Sequence, residues 1–238
     1  MKLRALTGMA LRELWISYRL VPVVGLPVLA GVAVIAVPAE LGGVSAIAGA
    51  GYSYAIGAGA AICVAAALAA STWAHERRRG TVAWMAVRAV PRSAVLVAWF
   101  IGYAMLLVGG IVVGSIGAWL AAIARAEAPI DPIPFIAAVA ALACTALAAL
   151  AAGLWVGSFL DRGMAAVLVL LASGAFVAAT ILGPQAGVPL PATGIGLLAD
   201  LGATARPVSE ALRAAGAALA ATAMLLLLAA VVLERADL

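Results

Sequence analysis

The chain has 238 residues, of which 67% are hydrophobic and only 10% are charged, and its net charge is +4. Because a soluble domain is about 45–50% apolar and about 25% charged, this composition excludes a water-soluble fold and predicts an integral membrane protein. The basic excess does not require nucleic acid as a partner, since membrane proteins use Lys and Arg to set their orientation.

A basic amphipathic segment begins the chain. Over residues 2–19, Arg4, Arg12 and Arg19 fall on one helical stripe, while leucines fall on another. The pattern predicts a helix in the membrane interface, with its arginines toward the anionic lipid surface. Membrane lipids are therefore expected partners of this segment.

Six apolar runs follow, each close to or above the roughly 20 residues that a helix needs to cross a bilayer. Proline, glycine or charge interrupts the chain between them. We predict an all-α fold with a single membrane domain, residues 1–238. Its spans are residues 20–38, 52–74, 94–123, 135–157, 164–183 and 212–233.

The stretch 184–211, between the fifth and sixth spans, is different from the other connections. It is fairly apolar, but it carries four prolines and several glycines, which exclude one continuous helix. We expect it to dip into the membrane edge as a re-entrant segment of short helices. Such backbone is tolerated only where protein covers it.

The distribution of basic residues predicts the orientation. Six spans place both termini on one side, together with eleven of the 14 Lys and Arg residues, and leave three on the other side. Because short cytoplasmic loops are the ones rich in Lys and Arg, the termini are predicted to be cytoplasmic. The alanine-rich composition is typical of high-GC bacteria, so a bacterial cell membrane is the expected location.

Several kinds of chemistry lack the residues they need. Lys2 is the only lysine, so a phosphate-binding G-x-x-x-x-G-K-[ST] loop is excluded, and His75 is the only histidine, so an HExxH metal site is excluded as well. No charged residue lies in the middle of a predicted span, unlike in most ion-coupled carriers. We therefore expect no catalytic residue and no metal site in this chain, and an energy source that a partner supplies.

The loop 75–93, HERRRGTVAWMAVRAVPRS, is the strongest functional signal. Gly80 can end the extension of the second span, and Thr81 can cap a short helix that stops at Pro91. One face of that helix could pack on the bundle while the other meets a soluble partner.

Two faces can be assigned on this short helix. Val82 and Met85 share one of them, while Trp84 and Arg88 are i,i+4 neighbours on the other.

A second interpretation applies to the three arginines before this short helix. Arg77–Arg79 could simply be orienting charges at the membrane surface, and this does not exclude the first interpretation.

The loop resembles the first cytoplasmic loop of ABC-2 type permeases, the membrane subunits of type V ABC exporters. The match lies at Glu76, at Gly80-Thr81, in the apolar segment 82–90, and at Pro91 and Ser93. The predicted order of an interfacial helix, six spans and a late re-entrant segment is similar as well. The chain departs from the family pattern in its three consecutive arginines.

The resemblance implies an export permease subunit that is not itself an enzyme. Two such subunits, identical or similar, would form a dimer around a pathway, and two ABC ATPase subunits would bind ATP and Mg²⁺ beneath them. Contacts to the ATPase would come from one end of the second span and the loop after it, namely Glu76, Gly80, Thr81, Val82, Trp84, Met85, Arg88 and Pro91.

By the same resemblance, small residues of the second and fifth spans would line the pathway: Gly57, Gly59, Ser173, Gly174 and Thr180. Such a lining favours efflux of a lipophilic drug, an antibiotic or a lipid-like substrate. For the hydroxyl residues, bonding back to the preceding turn of the same helix is the alternative. For the whole chain, the alternatives are a non-transporting scaffold or regulatory subunit, and a secondary transporter.

Overall fold

The computed structural model describes residues 2–36, 46–79, 91–125, 131–182, 193–199 and 208–235. Within these ranges every regular element is an α-helix, which confirms the predicted all-α class. The helices are α1 (Lys2–Ile16), α2 (Leu20–Ala36), α3 (Ala46–Arg78), α4 (Arg92–Arg125), α5 (Pro132–Gly157), α6 (Arg162–Leu182), α7 (Gly194–Ala199) and α8 (Val208–Arg235).

Five of these helices, α3, α4, α5, α6 and α8, are long and apolar enough to cross a membrane. The helix α2 has 17 residues, about 26 Å at a rise of about 1.5 Å per residue. It becomes a sixth candidate only when it is joined to α1 as one bent pair. The described chain is therefore a multi-pass membrane protein with five or six candidate spans.

The helices extend beyond the apolar runs from which they were predicted. The helix α3 covers Ala46–Arg78 where the run covers 52–74, and α4 covers Arg92–Arg125 where the run covers 94–123. Apart from Ile47, the added residues are small, polar or charged, so they contribute little hydropathy. They continue a helix that is already nucleated, at one hydrogen bond per residue added.

The start of α5 has a clear local cause. The carboxylate of Asp131 accepts a hydrogen bond from the backbone N–H of Ile133 at 3.0 Å, which satisfies one free donor of the first turn. Pro132 occupies the first helical position, where its missing N–H costs nothing and its fixed φ suits the helix.

The helix α3 lies at the centre of the bundle. It packs against α2, α4, α5, α6 and α7, while α8 packs mainly on α5. In the most apolar window of each helix, 67% of α3 is buried, against 22% of α6 and 17% of α8. The last two are peripheral helices with apolar faces toward lipid, and α3 holds the others together.

Glycines permit close approach where the helices cross. A Cβ added at Gly114 in α4 would overlap the carbonyl oxygen of Pro27 in α2, and one at Gly157 in α5 would lie 2.5 Å from the carbonyl oxygen of Ala70 in α3. Without a hydrophobic force between helices in lipid, such close backbone packing is a main source of association.

A sharp bend of 77° separates α1 from α2. Tyr18 lies in the bend with a φ of 55°, the left-handed region. The helix α1 packs on α4, with Ala10 and Leu14 fully buried there against Gly102. The described N-terminal helix is therefore attached to the bundle along one side, nearly perpendicular to α2.

The short helix α7 is wedged against α3 and α5. A Cβ at Gly194 would overlap the backbone of Ala141 and Leu142 in α5, and Ile195 and Leu198 are fully buried. Of the predicted segment 184–211, only residues 193–199 and 208–211 are described. The last four belong to α8, which begins at Val208 rather than at 212.

Candidate functional site at the basic end of the bundle

Five parts of the chain meet at one end of the bundle, which we call the basic end. They are the bend between α1 and α2, the last turn of α3, the start of α4, the turn between α5 and α6, and the end of α8. Its arginines are Arg19, Arg77, Arg78, Arg79, Arg92, Arg162 and Arg235.

A buried hydroxyl pair joins the first of these parts to α3 and α4. The Thr72 hydroxyl donates to the carbonyl oxygen of Leu68 at 2.7 Å. Its oxygen therefore accepts from a guanidinium nitrogen of Arg19 at 2.9 Å and from the Tyr103 hydroxyl at 2.8 Å. Thr72 and Tyr103 are buried, so these hydrogen bonds are made where water cannot replace them.

A second buried contact joins α3 to the turn between α5 and α6. The indole N–H of Trp73 donates to the Ser158 hydroxyl at 3.0 Å, and this hydroxyl donates to the carbonyl oxygen of Leu154 at 2.9 Å. Both Trp73 and Ser158 are fully buried. No sequence pattern singles out Ser158, because a lone serine in an apolar run has no distinctive spacing.

The first two arginines of the triple arginine also contact this turn. Arg77 donates to the carbonyl oxygen of Leu160 at 3.3 Å, and Arg78 forms an ion pair with Asp161. The Nε atom of Arg77 is buried without a hydrogen-bond partner among the residues described. These arginines were predicted as membrane-surface residues, and the structure adds protein contacts to that interpretation.

The remaining surface arginines lie where solvent or lipid headgroups can reach them. Arg4, Arg12 and Arg79 are exposed. Arg19 is half-buried because of its contact with Thr72. The basic residues therefore fall into two groups. Arg19, Arg77 and Arg78 contact other parts of the protein, whereas Arg4, Arg12 and Arg79 are exposed and accessible to a charged surface.

Glu76 is almost completely covered, with 9% of its surface exposed. It follows Thr72 and Trp73 by one turn on the inner side of α3. Pro91, directly before α4, is exposed. The other six predicted ATPase-contact residues lie outside the described part of the chain: Gly80, Thr81, Val82, Trp84, Met85 and Arg88.

The five predicted pathway residues do not share one environment. A Cβ at Gly57 would lie 2.5 Å from the Ala30 side chain of α2, and one at Gly59 would lie 2.7 Å from Val177 of α6, so both glycines occupy helix contacts. Gly174 has open space beside it. Thr180 is buried and donates to the carbonyl oxygen of Val177 at 2.8 Å.

The hydroxyl residues within the helices bond back to the preceding turn, as the alternative interpretation expects. Ser173 donates to the carbonyl oxygen of Val169 at 2.6 Å and Thr145 to that of Ala141 at 2.9 Å. Ser173 also borders a cavity between α6 and α8. Its hydroxyl proton is therefore engaged in a hydrogen bond within α6 and is not available to a ligand in the cavity.

The basic end joins several parts of the bundle through side chains of α3. The described residues contain no cluster of three or more His, Cys, Asp or Glu side chains that could hold a metal ion. They do contain direct contacts from the last two turns of α3 to the α1–α2 bend, to α4 and to the α5–α6 turn. A displacement of this end of α3 would be passed to each of those parts.

Comparison with known proteins adds no relative to this description. No family model matches the chain, and a search of curated proteins finds no significant match.

Proposed function

We propose that the chain is the membrane subunit of an ATP-driven exporter of the ABC-2 type. The loop that follows α3 is the contact for two ATPase subunits, which bind ATP and Mg²⁺. A second permease subunit, identical or similar, completes the pathway. The substrate class is a lipophilic drug, an antibiotic or a lipid-like molecule.

The single observation that carries this proposal is the set of contacts made by the last two turns of α3. Thr72 contacts the α1–α2 bend and α4, while Trp73, Arg77 and Arg78 all contact the turn between α5 and α6. A force applied to the loop after residue 79 reaches the bundle through this end of α3 and through the start of α4, which follows the loop. Buried hydrogen-bonded groups transmit such a displacement because breaking them leaves unpaired polar atoms.

Two features of the fold support the proposal. If α2 crosses the bilayer, the 77° bend directs α1 along the membrane surface, with Arg4 and Arg12 exposed to anionic headgroups. The short helix α7 between α6 and α8, covered by α3 and α5, suits a re-entrant segment. With six spans, the basic end is cytoplasmic in a bacterial plasma membrane.

Co-purification tests the proposal directly. The chain is expressed together with candidate ABC ATPase subunits from the same genome, and a tag on the chain should recover one of them. Replacing residues 81–90 with a Gly-Ser sequence should abolish recovery. Glu76→Gln should reduce recovery or ATP-dependent transport, whereas Glu13→Gln, in exposed α1, should leave both unchanged.

Three results would contradict the proposal. The ATPase could fail to co-purify with the intact chain, or it could still bind after residues 81–90 are replaced. Transport driven by a proton gradient in the absence of ATP would favour a secondary transporter instead.

A further inference from the structure

A cavity of about 600 Å³ lies between the two peripheral helices α6 and α8. This volume falls within the roughly 300–1,000 Å³ typical of small-molecule sites. Its sides are formed by segments 168–177 of α6 and 214–225 of α8, and its floor by Ile62 of α3 and segment 145–156 of α5.

The cavity is elongated along the helices. At one end lie Thr193 and Ile195, around α7, whose Gly194 contacts Leu142 of α5. At the other end lies Trp155, also on α5. The rise along α5 from Thr145 to Trp155, which both line the cavity, is about 15 Å, about half the thickness of a bilayer's hydrocarbon core.

The lining accepts hydrocarbon and rejects charge. No Asp, Glu, Lys, Arg or His is among its residues. Two of its hydroxyls, on Thr145 and Ser173, donate to carbonyl oxygens of their own helices. A charged group placed inside would lose its hydration without gaining an opposite charge from the lining, at a cost of several kcal/mol.

The cavity is open sideways, toward the surrounding bilayer. Leu168 and Phe176 on one rim and Ala217 on the other are exposed. Along their described lengths, α6 and α8 do not form a packed pair. In a bilayer this opening faces hydrocarbon chains, whereas water would find too few polar partners inside.

The end at Trp155 suits a lipid headgroup. Trp155 stacks edge-on with Phe159 at a centroid distance of 5.2 Å, and tryptophan is enriched at the membrane interface. The exposed Arg162 begins α6 about 9 Å of helix rise from Leu168 of the cavity wall. A guanidinium at this position is complementary to a phosphate.

We propose that this cavity binds one acyl chain of a phospholipid, with the phosphate beside Arg162 and the chain end toward α7. The proposal does not depend on the exporter function. It places a bound lipid in the leaflet at the basic end. The acyl chain of this lipid would lie between α6 and α8 and contact both helices.

A photoreactive lipid tests this site. The purified chain is reconstituted in vesicles of phosphatidylglycerol and phosphatidylcholine that contain phosphatidylglycerol with a diazirine in the middle of one acyl chain. After irradiation, peptide mass spectrometry should find adducts concentrated on residues that line the cavity, such as Ala172, Phe176 and Ala221. Outward-facing positions such as Leu171 and Leu227 should be labelled several-fold less.

Matched variants separate the cavity from ordinary lipid contact. Ala218→Phe places a ring in the cavity and should lower wall labelling several-fold, whereas Ala220→Phe, on the exposed side of α8, should not. Arg162→Gln should lower labelling by phosphatidylglycerol more than labelling by a phosphatidylcholine probe. If Ala218→Phe fails to elute as a folded species, Ala221→Phe provides the same test.

Three outcomes would overturn the inference. Labelling could be uniform around α6 and α8, which would indicate ordinary boundary lipid. Labelling of the walls could be unchanged in both filling variants. A chain with Ala218→Cys, Cys63→Ala and Cys144→Ala could form a disulfide with a second copy, which would show that another chain covers the cavity.

Discussion

At the scale of single residues, Ser158 has an effect that hydropathy alone does not reveal. It lies fully buried at the end of α5 and accepts the indole proton of Trp73. A buried donor that loses its acceptor costs more than an average hydrogen bond contributes, because the group is still desolvated. The end of α3 is therefore fixed to the α5–α6 turn by a polar contact inside an apolar bundle.

Ser158→Ala should lower the unfolding free energy of the chain by about 1–3 kcal/mol, since it leaves the Trp73 N–H unpaired. The measurement is denaturant unfolding in detergent, followed by tryptophan fluorescence. Ser209→Ala, at an exposed position of α8, is the matched control and should change stability by less than about 0.5 kcal/mol. Equal effects of the two substitutions would contradict this role of Ser158.

The ion pair between Arg78 and Asp161 should contribute little by itself, because both side chains are more than half exposed. A double-mutant cycle with Arg78→Ala and Asp161→Ala should yield a coupling of about 0.2–1 kcal/mol. The coupling should fall when salt is raised to 1 M, where the screening length is about 3 Å. A coupling above about 2 kcal/mol that is independent of salt would mean that the pair is far less hydrated than its exposure indicates.

At the scale of helices, association depends on how closely two backbones approach. In α4, Gly110 and Gly114 face α2, where a Cβ at Gly110 would lie 2.9 Å from the carbonyl oxygen of Val24. Gly109, beside them on the same helix, has nothing within 4 Å of its Cβ position. Neighbouring glycines in one helix therefore have different roles.

Gly114→Val should destabilise the chain by a few kcal/mol, because the side chain cannot fit without separating α4 from α2. Gly109→Val carries the same change in helix propensity but projects into open space, so it is the matched control. Thermal unfolding in detergent or lipid nanodiscs should show a lower melting temperature for Gly114→Val than for Gly109→Val. The same melting temperature for both would show that the α2–α4 contact is not tight.

At the scale of the whole molecule, the helix order gives the bundle two ends that differ in charge. The basic end collects most of the arginines. The other end carries Asp131 at the start of α5 and Arg125 at the end of α4, which donates to the carbonyl oxygen of Ile35. The orientation of the molecule can therefore be tested with one residue from each end.

Single cysteines at Arg79 and Asp131 should react from opposite sides of the membrane. In a Cys63→Ala, Cys144→Ala background, a membrane-impermeant maleimide added to intact cells should label Asp131→Cys. It should label Arg79→Cys only after permeabilisation, because Lys- and Arg-rich loops remain cytoplasmic. Reaction of both positions in intact cells, or the reverse order, would contradict the predicted orientation.

The fold and the candidate site were predictable to different degrees. Hydropathy is summed over residues that are neighbours in sequence, so it predicts the helices and their approximate bounds. The charged residues around 75–79 mark one end of α3. The partners Tyr103, Ser158 and Asp161 lie 25 or more residues from α3 in sequence. No spacing rule along the chain connects them to Thr72, Trp73 or Arg78.

The sequence by itself determined that this is an all-helical multi-pass membrane protein, because no soluble fold could bury so much apolar surface. Only the tertiary structure decided that α3 is the central helix, that Gly114 and Gly157 lie at helix crossings, and that a cavity separates α6 from α8. In a chain so rich in alanine, small-residue patterns occur in most helices. The rotation and crossing of each helix then depend on contacts that sequence periodicity cannot distinguish.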